Sequence, residues 1–260
     1  MSMKRLLFGT LAMALATASV TAPQPVNASV VIAGTRVVYP ESESEVTVRL
    51  TNDGKTPALT QTWLDRGDPN AAPSTIEVPF TVTPPVARID PGKAQTIRII
   101  YTGEPLPKDK ETVFWMNMLE VPPKPGDDMA ESNTLQMAYR TRIKLFFRPA
   151  GLKASDAAAA PARVVWRLHQ AGSERSIQAS NPSPFHVSIA NLEVKGGGRS
   201  ARFDEGGMIG PGETKTFPLK GEVPAGSDTR VMYHAINDYG GAIDGEAPLG
   251  ASAAAQTPAP

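Results

Sequence analysis

Beyond residue 29 the hydrophobic positions show almost no helical period, and short β-branched and aromatic runs alternate with Pro, Gly, Asn and Asp. In the first half of the chain these runs predict strands at 30–39, 45–51, 58–64, 80–83, 94–101, 112–119 and 135–147. Turn-forming sequences, among them Asn52-Asp53-Gly54 and Asp90-Pro91-Gly92, separate the runs. Seven strands at this spacing, without helices, predict an immunoglobulin-like β-sandwich.

The sequence 148–152 (RPAGL) and an alanine-rich stretch at 157–160 mark a boundary. After it, further runs predict strands at 163–169, 176–179, 185–194, 214–219 and 230–237. Gly196-Gly197-Gly198 predicts a hairpin turn. We therefore predict an all-β protein with two immunoglobulin-like sandwich domains in series, at 29–150 and 151–250, followed by a frayed tail at 251–260.

The first 28 residues have the pattern of an export signal. Lys4 and Arg5 precede an apolar run at 6–20, and Val26-Asn27-Ala28 is a small-x-Ala cleavage sequence. The alternative, a membrane anchor, is weaker because the run is shorter than the roughly 20 residues that cross a bilayer. We predict a signal peptide at 1–28, a mature chain that starts at Ser29, and a periplasmic location.

Charge and composition exclude several classes of function. Lys plus Arg and Asp plus Glu both number 26, so we expect no nucleic-acid partner and no stable membrane insertion. The chain has no cysteine, which excludes disulfides and thiol chemistry. His169, His186 and His234 are scattered, and neither a nucleophile elbow nor a phosphate loop is present. We predict that the protein is not an enzyme and has no metal site and no cofactor.

The longest strand-like run is 133–147, NTLQMAYRTRIKLFF. Its odd positions are mostly apolar and its even positions mostly polar or cationic, as in a half-buried strand. The simplest interpretation is the last strand of the first domain. However, the run exceeds the usual 5–6 residues, and a long apolar strand at a sheet edge aggregates unless another chain pairs with it. Donation of this strand to a partner is therefore a second interpretation.

Several motifs, in order and at matching spacings, resemble the PapD-like periplasmic pilus chaperones. In the first domain they are TRVVYP (35–40), VTVRLTN (46–52), PFTVTPPVARIDPGKAQTIRI (79–99), FWMNMLEVPP (114–123) and RIKLFFRP (142–149). In the second they are SNPSPFHVSIANLEV (180–194) and INDYGG (236–241). The resemblance implies two domains around a cleft, and a chaperone that donates a strand to an incomplete pilus subunit, its client, before an outer-membrane usher receives the subunit.

The resemblance also implies roles for individual residues. Arg36 and Lys144 would hold the C-terminal carboxylate of the client in the cleft through charge-assisted hydrogen bonds. Leu135, Met137 and Tyr139 would fill the groove of the client, with Tyr139 at a position that is more often aliphatic. Strict alternation places Lys144 on the opposite face from these three residues, which strand twist or a bulge between them would reconcile.

A third group implied by the resemblance is Arg88, Glu111 and Asp238, as interdomain salt bridges that set the angle between the domains. The short loop at 120–133, without cysteine, is similar to the branch of the family whose clients form rod-like pili. Two alternatives stay open: an exported structural protein, such as an adhesin or a component of a surface complex, and a chaperone-like protein that works without an usher. Self-association of the free protein also stays open.

Overall fold

The computed structural model describes residues 29–121, 137–171, 174–224, 226 and 228–250. The predicted signal peptide at 1–28, the donor-strand residue Leu135 and the predicted tail at 251–260 lie outside the described residues. Within the described ranges, no helix is long and apolar enough to cross a bilayer.

The first domain is a sandwich of two sheets. Its strands are β1 Val30–Ile32, β2 Arg36–Pro40, β3 Val46–Asn52, β4 Ala58–Asp65, β5 Phe80–Thr83, β6 Val86–Ile89, β7 Ala94–Tyr101, β8 Thr112–Val121 and β9 Tyr139–Arg148. One sheet has the order β1-β3-β7-β5 and the other the order β2-β9-β8-β4-β6. Strand β6 was not predicted, and it follows Pro84 and Pro85, where the preceding Thr83–Pro84 bond is cis.

The single strand predicted at 30–39 is wrong, because the chain changes sheets within it. β1 pairs antiparallel with β3, whereas β2 pairs in parallel with β9 in the opposite sheet. The crossing takes place at residues 33–35, where Gly34 has a φ of 109°, a conformation that few other residues adopt. This crossing brings Arg36 to the first position of β2.

Alternating apolar residues from both sheets form the core of the first domain. An aromatic cluster of Tyr39, Phe80, Tyr101, Phe114 and Phe147 lies within it, with ring centroids 4.6–6.4 Å apart. Strand β9 contributes Ile143, Leu145 and Phe147 to this core. These three core residues make β9 a fixed part of the domain.

The second domain is also a sandwich of two sheets. Its strands are β10 Val165–Ala171, β11 Glu174–Ser180, β12 Val187–Gly196, β13 Arg199–Phe203, β14 Gly207–Ile209, β15 Thr214–Pro218, β16 Lys220–Gly221, β17 Arg230–Ile236 and β18 Ala242–Pro248. One sheet is β10-β11-β15; the other is β16-β13-β12-β17-β18, with β14 paired to β12. The glycine hairpin joins β12 to β13, a strand that was not predicted.

The two sandwiches are joined by a connection that contains a short helix, α1 Ala154–Ala159, which the sequence pattern did not predict. The last strand of the first domain ends at Arg148, and the second pair of sheets begins at Val165. The prediction of an all-β protein with two sandwiches in series is confirmed. The exact division at residue 150 stays a prediction.

Candidate functional site

Strand β9 has two halves with different surroundings. From Lys144 to Arg148 it lies between β8 and β2, with Arg36 opposite Lys144 and Pro40 opposite Arg148. From Tyr139 to Ile143 it pairs with β8 on one side, and no strand of the described chain pairs with it on the other. Unpaired backbone N–H and C=O groups along such an edge can accept a strand from another molecule. The open edge ends where β2 begins, at Arg36 and Lys144.

The register of β9 against β8 is continuous. It runs without a shift from Tyr139 opposite Glu120 to Phe147 opposite Thr112. A bulge between Tyr139 and Lys144, one of the two explanations offered for their opposite faces, is therefore wrong. Tyr139 continues the row of Ile143, Leu145 and Phe147 beyond the core, while Lys144 lies on the outer face. Met137, just before the strand, is 49% exposed.

The outer face of this sheet carries a cluster of cations and indole rings. The guanidinium of Arg142 lies 4.1 Å from the ring centre of Trp115, and that of Arg140 lies 5.0 Å from the ring centre of Trp63. Asp65, 1% exposed, accepts hydrogen bonds from Arg142 at 2.5 Å and from Asn117 at 2.7 Å. Burial raises the pKa of Asp65, but these hydrogen bonds outweigh it and hold the pKa below its usual value. The cluster fixes the side chains of Arg140 and Arg142 on β9.

Lys144 differs from its neighbours because it has no acidic partner within 4.0 Å among the described residues. Its ammonium lies 5.0 Å from the ring centre of Trp115. Burial, and then the charges of Arg36, Lys215 and Arg142, lower the pKa of Lys144. A partly buried cation with other cations near it is unfavourable in the free protein, and it favours an added anion.

Arg36 is the second unneutralised cation of the cleft. Its Nη1 donates a hydrogen bond to the carbonyl of Ile236, a residue of the second domain, at 3.0 Å. Its Nε is buried and has no hydrogen-bond partner in the described chain. Burial lowers the pKa of Arg36, and Asp238 and Glu111 offset this only partly. Arg36 and Lys144 therefore lie side by side, on paired strands, with donor groups to spare.

The residues predicted for the interdomain salt bridges are not all in one place. The side chain of Arg88 is 70% exposed and pairs with Asp90, two residues further on. Its strand, β6, forms one edge of the five-stranded sheet, and β2 forms the other edge. An interdomain role for Arg88 is therefore wrong. Glu111 and Asp238 do lie at the domain junction, where a different arginine joins them.

That arginine is Arg148, the last residue of β9. It donates to Glu111 at 2.8 Å and forms a bidentate pair with Asp238 of the second domain, at 2.8 and 3.0 Å. Glu111 also accepts the backbone N–H of His186, from the second domain, at 2.8 Å. Although burial disfavours a charged guanidinium, hydrogen bonds to Asp238 and Glu111 and their negative charges raise the pKa of Arg148.

Two cavities of about 440 Å³ each lie between the domains. Arg36, Arg148 and helix α1 line the first, and Lys144, Trp115 and Lys215 line the second. Ser188 and Ile236 of the second domain line both. The cavities are also lined by acidic residues, Glu111 and Asp238 in the first and Glu205 in the second. The site is therefore a charged cleft, with walls from both domains, at the end of an open strand edge.

Sequence reasoning missed Arg148, Asp65, Trp115 and Ser188. A signal for Arg148 was present, since it continues the even-numbered cations of β9 directly before a proline. A signal for Asp65 was its position at the end of an apolar strand, where a charge needs a partner. Nothing local to Ser188 indicated its place in the cleft.

Comparisons with known proteins agree with this geometry. Residues 29–153 match the family model of the PapD N-terminal domain, described as a pili and flagellar-assembly chaperone, and residues 159–247 match that of the PapD C-terminal domain, described as a pili assembly chaperone. The probable fimbrial chaperone YadV of Escherichia coli K12 is 45% identical over 224 residues, which cover 85% of this chain and 90% of YadV. The chaperone protein FimB/FhaD of Bordetella pertussis is 42% identical over 218 residues, which cover 82% and 85%.

Solved structures give the same result. The crystal structure of the YadV chaperone superposes with a TM-score of 0.72 at 42% identity, covering 85% of this chain and all of that one. The Pseudomonas aeruginosa CupB2 chaperone superposes with a TM-score of 0.71 at 39% identity and the same coverage. The expected immunoglobulin-like fold and the family resemblance are both confirmed, and the chain belongs to the PapD family of pilus-assembly chaperones.

Proposed function

We propose that this protein is a periplasmic chaperone that holds an incomplete pilus subunit by donating the open half of β9 to it. The observation that carries the proposal is that the open edge at Tyr139–Ile143 ends at two partly buried cations, Arg36 and Lys144, which have no acidic partner within 4.0 Å among the described residues. An extended client strand can pair along the edge, and its C-terminal carboxylate can bind both cations.

The proposed anchor also implies a direction for the bound strand. β2 runs parallel to β9 and occupies its edge from Lys144 onward. A client whose C-terminus lies at Arg36 must approach from the Tyr139 end, so its strand runs parallel to β9 and in line with β2. Because the carboxylate marks the end of every client, the two cations set the register of the pairing.

The side chains proposed to enter the client lie on the core-facing row of β9. Tyr139 is half-buried and Met137 half-exposed, and both extend the row of Ile143, Leu145 and Phe147 past the domain's own core. A subunit that lacks its last strand exposes a hydrophobic groove, and such a row can replace the missing strand. Leu135 is proposed to continue the row.

Family membership supports the proposed partners and location. The relative YadV is described as a probable fimbrial chaperone, which supports pilus subunits as clients. Delivery to an outer-membrane usher, periplasmic location and cleavage before Ser29 are part of the same proposal. An unoccupied edge of this kind also favours pairing with a second copy of the chain, so self-association should compete with client binding.

The proposal is tested by co-expressing the protein with a pilus subunit encoded beside it and isolating the one-to-one complex. Arg36→Ala and Lys144→Ala should prevent capture while the free chaperone stays folded. Arg88→Ala is the matched control, because Arg88 is an exposed arginine of the same domain outside the cleft. Normal capture by both cleft variants would contradict the anchoring mechanism.

A further inference from the structure

Ser188 is a buried polar residue that the anchoring scheme above does not use. Its neighbours on β12, Val187 and Ile189, point into the core of the second domain, so Ser188 points the other way, towards the first domain. It is nevertheless only 3% exposed, and its Oγ has no hydrogen-bond partner in the described chain. A buried hydroxyl without a hydrogen-bond partner lowers the stability of the free protein, which makes Ser188 a candidate for a role in binding.

Ser188 lies in the cleft beside both anchor residues, Arg36 and Lys144. It lines the cavity that contains Arg36 and also the cavity that contains Lys144. It is paired across the sheet with Ile236, whose carbonyl accepts the hydrogen bond from Arg36. Three donors with unused capacity thus border one cleft: the Arg36 Nε, the Lys144 ammonium and the Ser188 hydroxyl.

We propose that Ser188 donates a third hydrogen bond to the client's terminal carboxylate, from the second domain. This inference rests on the proposed function of the cleft. A carboxylate has two oxygens with about four acceptor positions, which is enough for donors from both domains. The anchor then depends on the angle between the domains, and Arg148 with Asp238 holds that angle.

The test uses the chaperone from Ser29 and a synthetic peptide that copies the C-terminal strand of a co-encoded pilus subunit. The peptide is made as the free acid and as the C-terminal amide. Ser188→Ala should weaken binding of the acid roughly tenfold, which is the value of one hydrogen bond to a charged group, and leave binding of the amide unchanged. Ser188→Thr keeps the hydroxyl and should bind the acid almost normally.

Thr229→Val is the matched control. The Thr229 hydroxyl is also buried in the second domain and has no hydrogen-bond partner among the described residues, but Thr229 lines neither cavity. Thr229→Val should not change binding. Ser188→Ala should also leave the free chaperone as stable as before or more stable, because a buried unpaired hydroxyl is removed. A merely structural role for Ser188 would lower the stability instead.

The outcomes separate the two proposals. If the unmodified chaperone binds acid and amide equally, the anchoring function itself is wrong. A second outcome is that the unmodified chaperone prefers the acid and that Arg36→Ala removes this preference while Ser188→Ala keeps it. In that case only the role of Ser188 is overturned.

A second, independent observation concerns Glu120, near the end of β8. Glu120 is 7% exposed and lies on the same face of β8 as the buried Met116 and Met118. In the described chain its carboxylate accepts hydrogen bonds only from Ser29 and from the backbone N–H of Val30, with Ser29 N 3.3 Å from Oε1 and Val30 N 3.0 Å from Oε2. No lysine or arginine of the described residues lies within 4.0 Å of it. A buried carboxylate without a cation is unfavourable.

We infer that signal-peptide cleavage supplies the missing cation. Hydrolysis of the bond between Ala28 and Ser29 adds OH to the Ala28 carbonyl and hydrogen to the Ser29 nitrogen, which then binds a proton and becomes an ammonium. This ammonium lies beside the Glu120 carboxylate and forms an ion pair that ties β1 to β8 in the opposite sheet. The inference rests on the predicted cut after Ala28.

The test compares two forms of the chaperone, one that starts at Ser29 and one that starts at Ala28 and so has an amide at the Ser29 nitrogen. The form from Ser29 should have a Tm higher by about 2–4 °C, the shift expected for roughly 1 kcal/mol in a protein of this size. The difference should vanish in Glu120→Gln. Equal Tm values for the two forms, or a natural N-terminus other than Ser29 by mass spectrometry, would overturn the inference.

Discussion

At the domain junction, Arg148 has surroundings opposite to those of Arg36 and Lys144. Arg148 is paired with Glu111 and, in bidentate form, with Asp238, and these acids raise its pKa. Arg36 and Lys144 lie opposite each other on paired strands, and both have lowered pKa values because they are partly buried without sufficient negative charge. Arg148 thus has two carboxylates for its one positive charge, whereas neither Arg36 nor Lys144 has a carboxylate within 4.0 Å among the described residues.

The difference separates a structural role from a binding role. A buried cation with its acids holds two parts of the fold at a set angle and has no capacity left for a ligand. Partly buried cations without acids make the free protein less stable. An external anion that binds them neutralises their charge, so such cations are typical of a binding site. The charges of Asp238 and Glu111 reach Arg36 but neutralise it only in part.

The largest expected effect is on the paired group. Arg148→Met should lower the free energy of unfolding by about 3–5 kcal/mol, because Glu111, 2% exposed on its side chain, is left buried without its cation. Denaturant unfolding measures this. The control is Arg88→Met, on the exposed side of the first domain, which should change the free energy by less than about 0.5 kcal/mol. An equal change in the free energy of unfolding in the two variants would contradict the structural role of Arg148.

The second prediction is the opposite result at Lys144, where binding should fall and stability should not. Lys144→Met should weaken client binding roughly 30- to 100-fold, the value of a lost charge-assisted hydrogen bond, and leave the free energy of unfolding unchanged or higher. Stability should not fall, because the substitution removes a partly buried charge that no acid neutralises among the described residues. Calorimetric titration with the client strand and denaturant unfolding of the free chaperone measure the two quantities. A clear loss of stability would show that Lys144 is structural.

The third prediction concerns pH. The pKa of Lys144 is lower in the free folded protein than the ordinary 10.5, and a bound carboxylate raises it. Client affinity should therefore fall, at most tenfold per pH unit, as the pH rises through the lowered pKa. Over the same window, up to 10.5, the free energy of unfolding should rise, because the folded protein loses its unfavourable proton before the unfolded chain does.

Lys144→Arg is the matched control for this pH dependence, because an arginine stays charged throughout the window. Its affinity for the client should be flat over the range in which the unmodified protein loses affinity. The same alkaline loss in Lys144→Arg would assign the effect to a group other than Lys144.

The smallest expected effect is at Trp115, whose ring lies beside both Lys144 and Arg142. Trp115→Leu should weaken client binding roughly three- to fivefold through loss of the cation–π contact, and Trp115→Phe should recover most of it. In a Lys144→Met background, Trp115→Leu should have no further effect on affinity. An equal loss in that background would show that Trp115 acts independently of the anchor.

Much of the site was predictable from sequence, but unevenly. The alternation of 133–147 predicted a half-buried strand, because apolar and cationic residues alternate with period two. The motif resemblance indicated Arg36 and Lys144, which the register places opposite each other. Arg88 was assigned wrongly because a motif gives a residue's place in the chain, whereas ion pairing depends on distance. Arg148 and Asp238 pair across 90 residues, and no local pattern contains that contact.

The sequence alone determined that the chain is all-β with a long amphipathic strand, since side-chain alternation is a local property of the backbone. Only the tertiary structure decided which half of that strand is open. That depends on the crossing at Gly34, which sends β1 to one sheet and β2 to the other and leaves Tyr139–Ile143 uncovered. The structure also decided which cations are neutralised, because burial and Coulomb energy depend on distances between residues that are remote in sequence.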